Sequence, residues 1–503
     1  MPREPNIVRG DERFRIPPAL TVPIGLLPAG RRRAALCGAV ALLIPVAACA
    51  PRTAESRPAI MDAVPAEFTS ADSAAPVEID GRWWESFGDP LLESFVERAL
   101  SGNPSIGQAI ERLRQARAAA RIEESDLYPQ AGATFGAEER GIEGAPSLPA
   151  RFDLGIDVAW EADIWGRISS ESAAARAEYR ASAADLQATR QLIAAETART
   201  YLAVVEAQAQ VELSTRVLAT YDELIRQLNL RVEAGVTPQS LAALAITDQQ
   251  TARAGLEQRR EDYQRLIRRL EILVGDYPDG IDTLAASLPD VPPPPPAGVP
   301  AGLLDRRPDV RSARHRIEAA GFRIDAAEAS FLPSLTLTGS AGTSAASFAG
   351  LFDPLTLVWS IAGRLLQPIF QGGRLRAQLE FREGERNEAI EAYAETALQA
   401  LFEVETALAV DGIIANQETA FGQAAQAAEQ ATEISTLRYR AGIESFFNVL
   451  ESQQRALNAR SAFLSARRAR LFNRIDLHLA IGGGLEEDPA ITLAARNREN
   501  ADQ

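Results

Sequence analysis

Carboxylates on an alternating segment are the groups in this sequence best placed to do chemistry. Between Asp153 and Ile164, Leu154, Ile156, Val158, Trp160, Ala162 and Ile164 fall on one face, with Asp153, Asp157, Glu161 and Asp163 on the other. Spacing of period two predicts a strand with an apolar side and an acidic side. An acidic row sorts ions by charge sign, but the partners that catalysis needs are scarce. The two histidines, His315 and His478, lie far apart, each inside a helical pattern, and Cys37 and Cys49 are the two cysteines. No Gly-rich phosphate loop stands between a strand and a helix, and Gly482-Gly483-Gly484 reads as a helix cap or loop. These residues predict neither an enzyme nor a metal site, and no cofactor apart from covalent lipid.

That lipid is expected at Cys49. Arg31, Arg32 and Arg33 precede an apolar run from Ala34 to Ala48, broken by Gly38 and Pro45. A basic cluster before a short apolar run marks a secretory signal, too short to span a bilayer as a stable helix. The run ends Val46-Ala47-Ala48-Cys49, which resembles the lipobox of bacterial lipoproteins. That resemblance implies diacylglycerol on Cys49, cleavage after Ala48 and an acyl chain on the new amino group. Ala50, where an Asp would retain the protein at the inner membrane, implies the outer membrane. Cys37 leaves with the signal, so a mature monomer has no disulfide. The stretch before Arg31 is long for a leader and points to a different translation start.

The formal net charge is −16, and every basic residue is Arg or His because the chain of 503 residues has no Lys. Beyond the N-terminus the basic residues form no run, which argues against nucleic acid.

The positioning elements are written twice. Pro104 recurs as Pro308, Arg112 as Arg316, Glu124 as Glu328, Pro129 as Pro333 and Thr134 as Thr338, at one constant spacing. Leu230 to Gly235 is echoed by Leu437 to Gly442. Each half predicts a helix (Pro104–Asp126, Pro308–Ser330), two strands, a very long helix (Arg167–Ala234, Arg374–Ala441) and a returning helix to about Val274 or Ile481. The expected strands lie at Gln130–Ala137, Asp153–Ile164, about Leu335–Thr338 and Leu355–Ala362. The expected segments are a signal at 1–48, a lipidated extended segment at 49–81, a first repeat at 82–290, a Pro-rich linker at 291–302, a second repeat at 303–485 and a polar tail at 486–503.

A helix of about 70 residues reaches roughly 100 Å and needs other long helices to cover its apolar stripe. Four strands have open edges, and in a bilayer only a closed barrel satisfies the backbone. Even eight strands are largely filled by side chains, whereas three chains give twelve strands and a lumen. The predicted fold is therefore an α+β membrane protein in which three chains share a twelve-stranded β-barrel and a hollow bundle of long helices. The acidic face of 153–164 would line its pore, and the apolar face would meet outer-membrane lipid.

The ordered set Trp83-Trp84, Phe87-Gly88-Asp89-Pro90-Leu91, Trp160 to Arg167, Leu303 to Arg311 and Gln367 to Arg374 resembles the TolC-like outer-membrane factor family. Within it, the chain resembles the lipoprotein branch serving resistance–nodulation–division (RND) efflux systems, from about Arg82 to Gly484. The resemblance implies a homotrimer whose twelve-stranded outer-membrane β-barrel is continuous with a long periplasmic α-helical barrel. It implies a passive, gated exit duct in the outer membrane of a Gram-negative bacterium, with a periplasmic adaptor and an inner-membrane RND transporter as partners. It also implies a gate just beyond Gly442: Glu451 matches an acidic position, Asn448 stands where relatives often carry Asp, and Glu444 adds a third candidate. Two alternatives stay open: the channel of a type I protein-secretion system, or a periplasmic coiled-coil lipoprotein that is no channel.

Overall fold

The computed structural model describes residues 68–69, 81–139, 141, 143–144, 149–280, 283–296 and 300–484. The signal, Cys49 and the tail after 485 lie outside them, as does nearly all of 49–81. After a 3-10 turn at Trp83–Phe87 come α1 (Pro90–Gly102), α2 (Pro104–Ser125), β1 (Gln130–Glu138) and β2 (Arg151–Ala162). Then follow α3 (Arg167–Glu233), α4 (Gln239–Val274), α5 (Pro300–Arg306) and α6 (Pro308–Ala329). The chain continues through β3 (Ser334–Ala345), β4 (Leu357–Leu366), α7 (Arg374–Arg440) and α8 (Phe446–Ala480).

The long helices follow from what they lack. No Gly or Pro interrupts α3, and the glycines of α7 (Gly384, Gly412 and Gly422) stay helical. Each runs 67 residues, about 100 Å at the helical rise. Gly235 and Gly442 end them with φ of 72° and 76°, conformations that a side chain disfavours. The amides of Val236 and Ile443 then reach back to the carbonyls of Arg231 and Arg438 at 3.0 and 2.9 Å, closing each helix end.

β3 runs on to Ala345, well past the expected Thr338, because it pairs with β2 and β4 along that length. Three further differences each have a local reason. A separate helix, α1, precedes α2: Asp89 caps it by accepting from the amides of Leu91 and Leu92, and Pro90 sits in its first turn. Asn103 then caps α2 through the Ser105 amide. β2 stops at Ala162, two residues before Ile164, because Asp163 turns to cap α3. β4 begins at Leu357 because Asp353 and Pro354 wind the preceding residues into a 3-10 turn, and it continues to Leu366.

α3 packs against α2, α4, α6 and α8, whereas α7 packs against α5, α6 and α8. A core of Trp83, Trp84, Phe87, Leu92, Phe95, Tyr201 and Leu202 joins the 3-10 turn and α1 to α3 and, through Leu471 and Ile475, to α8. The stretch leading into the proline run is pinned rather than loose. Leu288 is buried in that same core, and Arg467 of α8 donates to the Pro289 carbonyl at 3.0 Å and pairs with Asp290 at 2.7 Å. No helix among the described residues is long and apolar enough to cross a membrane.

The four strands form one antiparallel sheet in the order β1-β2-β3-β4, so β1 and β4 are its edges. Pairing of Gly155 with Gly342 brings β2 and β3 unusually close. A Cβ built on Gly342 would lie 2.6 Å from the Gly155 Cα and closer still to the Leu154 carbonyl oxygen.

Candidate functional site

Two places carry the sequence-predicted residues: one face of the sheet, and the turn joining α7 to α8. Register decides the first. Leu154 pairs with Phe135 on one side and Thr343 on the other, Ile156 with Ala133 and Ala341, and Val158 with Gly339, while Ala341 faces Trp359 and Gly339 faces Ile361. Alternation along each strand therefore gathers Phe135, Leu154, Ile156, Val158, Leu337, Trp359, Ile361 and Leu365 on one side, all of them exposed.

The other side collects the polar groups. Asp157 pairs with Gly132 and Ser340, Asp153 with Gly136 and Ser344, and Glu161 with Thr336, whose partner in β4 is Arg364. The Thr134 hydroxyl donates to Asp157 at 2.8 Å, and Ser340 and Ser360 share a hydrogen bond of 2.8 Å. Arg151 pairs with Asp153 at 2.9 Å, and Arg167 with Glu161 at 2.9 Å. The sheet thus brings Asp153, Asp157 and Glu161 together on a face dressed with hydroxyls and guanidiniums. Asp163 stands apart, beyond the strand. Its carboxylate accepts from the amides of Ile168 and Ser169 at 3.0 and 2.9 Å and is occupied in starting α3.

At the opposite end of the long helices, the α3–α4 and α7–α8 hairpins share a small core. Tyr221, Leu224, Leu228, Ala245, Tyr439, Phe446 and Val449 are buried in it. The Arg231 guanidinium lies 4.4 Å above the Tyr439 ring and donates to the Tyr439 carbonyl, so one hairpin grips the other.

Glu444 follows directly on the turn. Its carboxylate accepts from the Asn448 side-chain amide and from Arg438 Nε, the latter at 3.2 Å. The Asn448 amide, followed by the Ser445 backbone amide and Arg438, holds the Glu444 carboxyl below the usual glutamate range. Ser445 caps α8 by accepting from the Asn448 backbone amide. Glu451, two turns along, pairs with Arg455 at 2.6 Å and lines a groove of about 480 Å³ with Asp248, Arg259 and Arg455. Each of the two gate candidates that is an acid therefore has an arginine beside it.

Those arginines escaped the sequence reading, as did a set on α8. Arg468 pairs with the buried Glu206 of α3 at 3.2 Å, Arg470 with Glu418 of α7 at 2.8 Å and Arg474 with Asp411 of α7 at 3.1 Å. The available signal was their position: they share a helix segment with Leu471 and Ile475, which are fully buried, so their charges require acids on neighbouring helices.

With this geometry in view, the comparisons are specific. The chain matches the outer membrane efflux protein family over residues 95–276 and 299–483. It is similar to the outer membrane protein OprJ of Pseudomonas aeruginosa, 31% identical over 482 residues, covering 91% of this chain and 98% of that one. It is 30% identical over 428 residues to the toluene efflux pump outer membrane protein TtgF of Pseudomonas putida, covering 82% and 88% of the two chains. Among solved structures, the outer-membrane channel OprN superposes with a TM-score of 0.77 at 26% identity, over 84% of this chain and 97% of that one. The open state of the Neisseria gonorrhoeae MtrE outer membrane channel also gives 0.77, at 28% identity over 84% and 96%. OprN and MtrE are outer-membrane channels and TtgF is part of an efflux pump, and this chain belongs to the outer membrane efflux protein family.

Proposed function

We propose that three copies of this chain form a passive, gated exit duct that carries small molecules out through the outer membrane. The observation that carries this reading is the sheet: one apolar face, one polar face and two unpaired edges, set at the end of helices of 67 residues. Such a sheet is incomplete alone, because an apolar face exposed to lipid cannot leave backbone edges unsatisfied. Pairing β4 of one copy with β1 of the next gives twelve strands, with Asp153, Asp157 and Glu161 facing the lumen. The internal repeat supplies each copy with two strand pairs and two hairpins, and the hairpins of three copies form the periplasmic barrel.

The duct supplies no energy of its own. It takes substrate from a periplasmic adaptor and an inner-membrane RND transporter, in keeping with relatives named as outer-membrane parts of efflux pumps. Glu451, Asn448 and Glu444 constrict the periplasmic end. Cys49 bears the lipid, and the barrel is the principal membrane anchor.

Reconstitution into planar bilayers tests the duct. Purified trimer gives discrete conductance steps; a trimer that inserts yet never conducts refutes the channel reading. Cys49→Ser, expressed with its signal, loses the acyl mass by mass spectrometry and still conducts.

A further inference from the structure

Each short helix packs on the long helix that follows it, α2 on α3 and α6 on α7, and α3 also receives α6. That second seam has a definite register. The Ser312 hydroxyl donates to the Ala181 carbonyl at 3.1 Å, Arg316 pairs with Asp185, and Arg323 pairs with Glu178 at 2.9 Å. Ser312, Ala319 and Ala326 lie on the same helical stripe as these arginines and are buried.

α7 offers the corresponding side, and nothing among the described residues fills it. By the sequence correspondence of Arg167 with Arg374, Glu178 becomes Glu385 and Asp185 becomes Ala392. Ala392 is flanked by Glu388, Glu391 and Glu395, all exposed and without an ion pair among the described residues. One turn beyond Glu385 stands Phe381, 61% exposed, at the position of the buried Ala174.

α2 carries the matching free stripe. Where α6 has Ser312, Arg316, Ala319, Arg323 and Ala326, α2 has Gln108, Arg112, Gln115, Ala119 and Ile122, every one exposed. Arg112 has no ion pair among the described residues, and Ile122 is 65% exposed. An arginine without an acid thus sits at one edge of the chain, and acids without a base at the other.

We propose that α2 of a second copy docks on the free side of α7 in the register that α6 uses on α3. Arg112 of the second copy enters the Glu388, Glu391 and Glu395 cluster, and its Ile122 covers Phe381. The proposal rests on the ring of copies above and adds what chooses the neighbour and its direction. Three like charges on one helix side repel each other until an arginine arrives, which opposes wrong registers as well as favouring the right one. Donor and acceptor surfaces differ, so the contact is head-to-tail and closes only as a ring.

The test uses the full chain carrying Ile122→Cys with Phe381→Cys, extracted in detergent, oxidised and run on a non-reducing gel beside each single variant. The expected result is a reducible ladder ending at the trimer mass, absent from both single variants. Trimers by native mass spectrometry with no ladder overturn this register and leave the ring standing, whereas monomers by both measures sink both. A charge swap gives an independent reading. Arg112→Glu loses most of the trimer at low salt, and adding Glu391→Arg restores it; failure of the swap to restore assembly overturns the ion pairing.

Discussion

Gly342 is the position where one methyl group should do most harm to the sheet. A Cβ there meets the Leu154 carbonyl and the Gly155 Cα, the latter at 2.6 Å, and both are backbone atoms of a paired strand that cannot swing aside. To admit alanine, β2 and β3 must separate by about 1 Å, because ordinary carbon contacts lie near 3.5–4 Å. That stretches about two ladder hydrogen bonds, each worth about 1 kcal/mol net. Local overpacking adds about 1–3 kcal/mol. Gly342→Ala is therefore expected to cost about 3–5 kcal/mol per chain. Gly339 provides the control three residues earlier on the same strand. Its added Cβ would come no nearer than 3.9 Å to any neighbour, the Ser360 carbonyl, so Gly339→Ala is expected to be neutral or slightly stabilising. The assay is the temperature at which detergent-solubilised trimer dissociates on a gel, with the wild type and both variants side by side. If Gly342→Ala melts with the wild type, the close approach of β2 and β3 does not exist. If both variants fall equally, glycine is needed for some reason other than that contact.

Three further outcomes follow from the same geometry. Tyr201 is fully buried and its hydroxyl donates to Asp89 at 2.8 Å; burial, then the Asp89 charge, pushes the phenol well above its usual range. Tyr201→Phe leaves a buried carboxylate oxygen short of a donor and should cost about 1.5–3 kcal/mol by thermal unfolding. Because the folded pKa of Glu444 is depressed, its contribution to the closed turn is complete above the ordinary glutamate value of about 4.3 and fades as pH falls below it. Open probability in bilayers should rise on acidification through that range, and in Glu444→Gln it should lose this step; an unaltered profile in the variant excludes Glu444 as the sensor. Glu451→Gln should lower the cation-over-anion permeability ratio about two- to threefold in about 0.15 M salt, the effect of three screened charges near an axis. An unchanged reversal potential removes Glu451 from the constriction.

What the sequence reveals here divides by range. The ends of α3 and α7 are legible because they depend on local chemistry: long stretches without proline, then glycines at 235 and 442 whose conformation other residues resist. The two-sided sheet is legible for a similar reason, since period two holds from Leu154 to Trp160 regardless of what pairs beside it. α1 is less visible. Its Asp89-Pro90 start is as clear a signal as Asn103-Pro104, yet the helix expected from the sequence opens only at Pro104. Asp163 fits the strand by parity, and only the amides of Ile168 and Ser169 explain why it leaves the sheet. The site's charge state is the least legible part. Arg438 lies six residues before Glu444, across a turn, and Arg231 reaches Tyr439 from the other hairpin. A pattern of residue types shows which acids are present near Gly442 but not which of them already has a cation.

The unpaired edges of β1 and β4 also bear on genetics. If each copy supplies only an arc of the wall, a chain that folds and joins its neighbours but cannot open disables every duct that contains it. Alleles altering the turn beyond Gly442 should therefore be dominant over the wild type when co-expressed, because their sheets still join the ring. Alleles that abolish the sheet outright should be recessive, because a chain that cannot present its edges never enters a shared wall. Dominance thus becomes a map of the molecule, separating residues that work the passage from residues that build it.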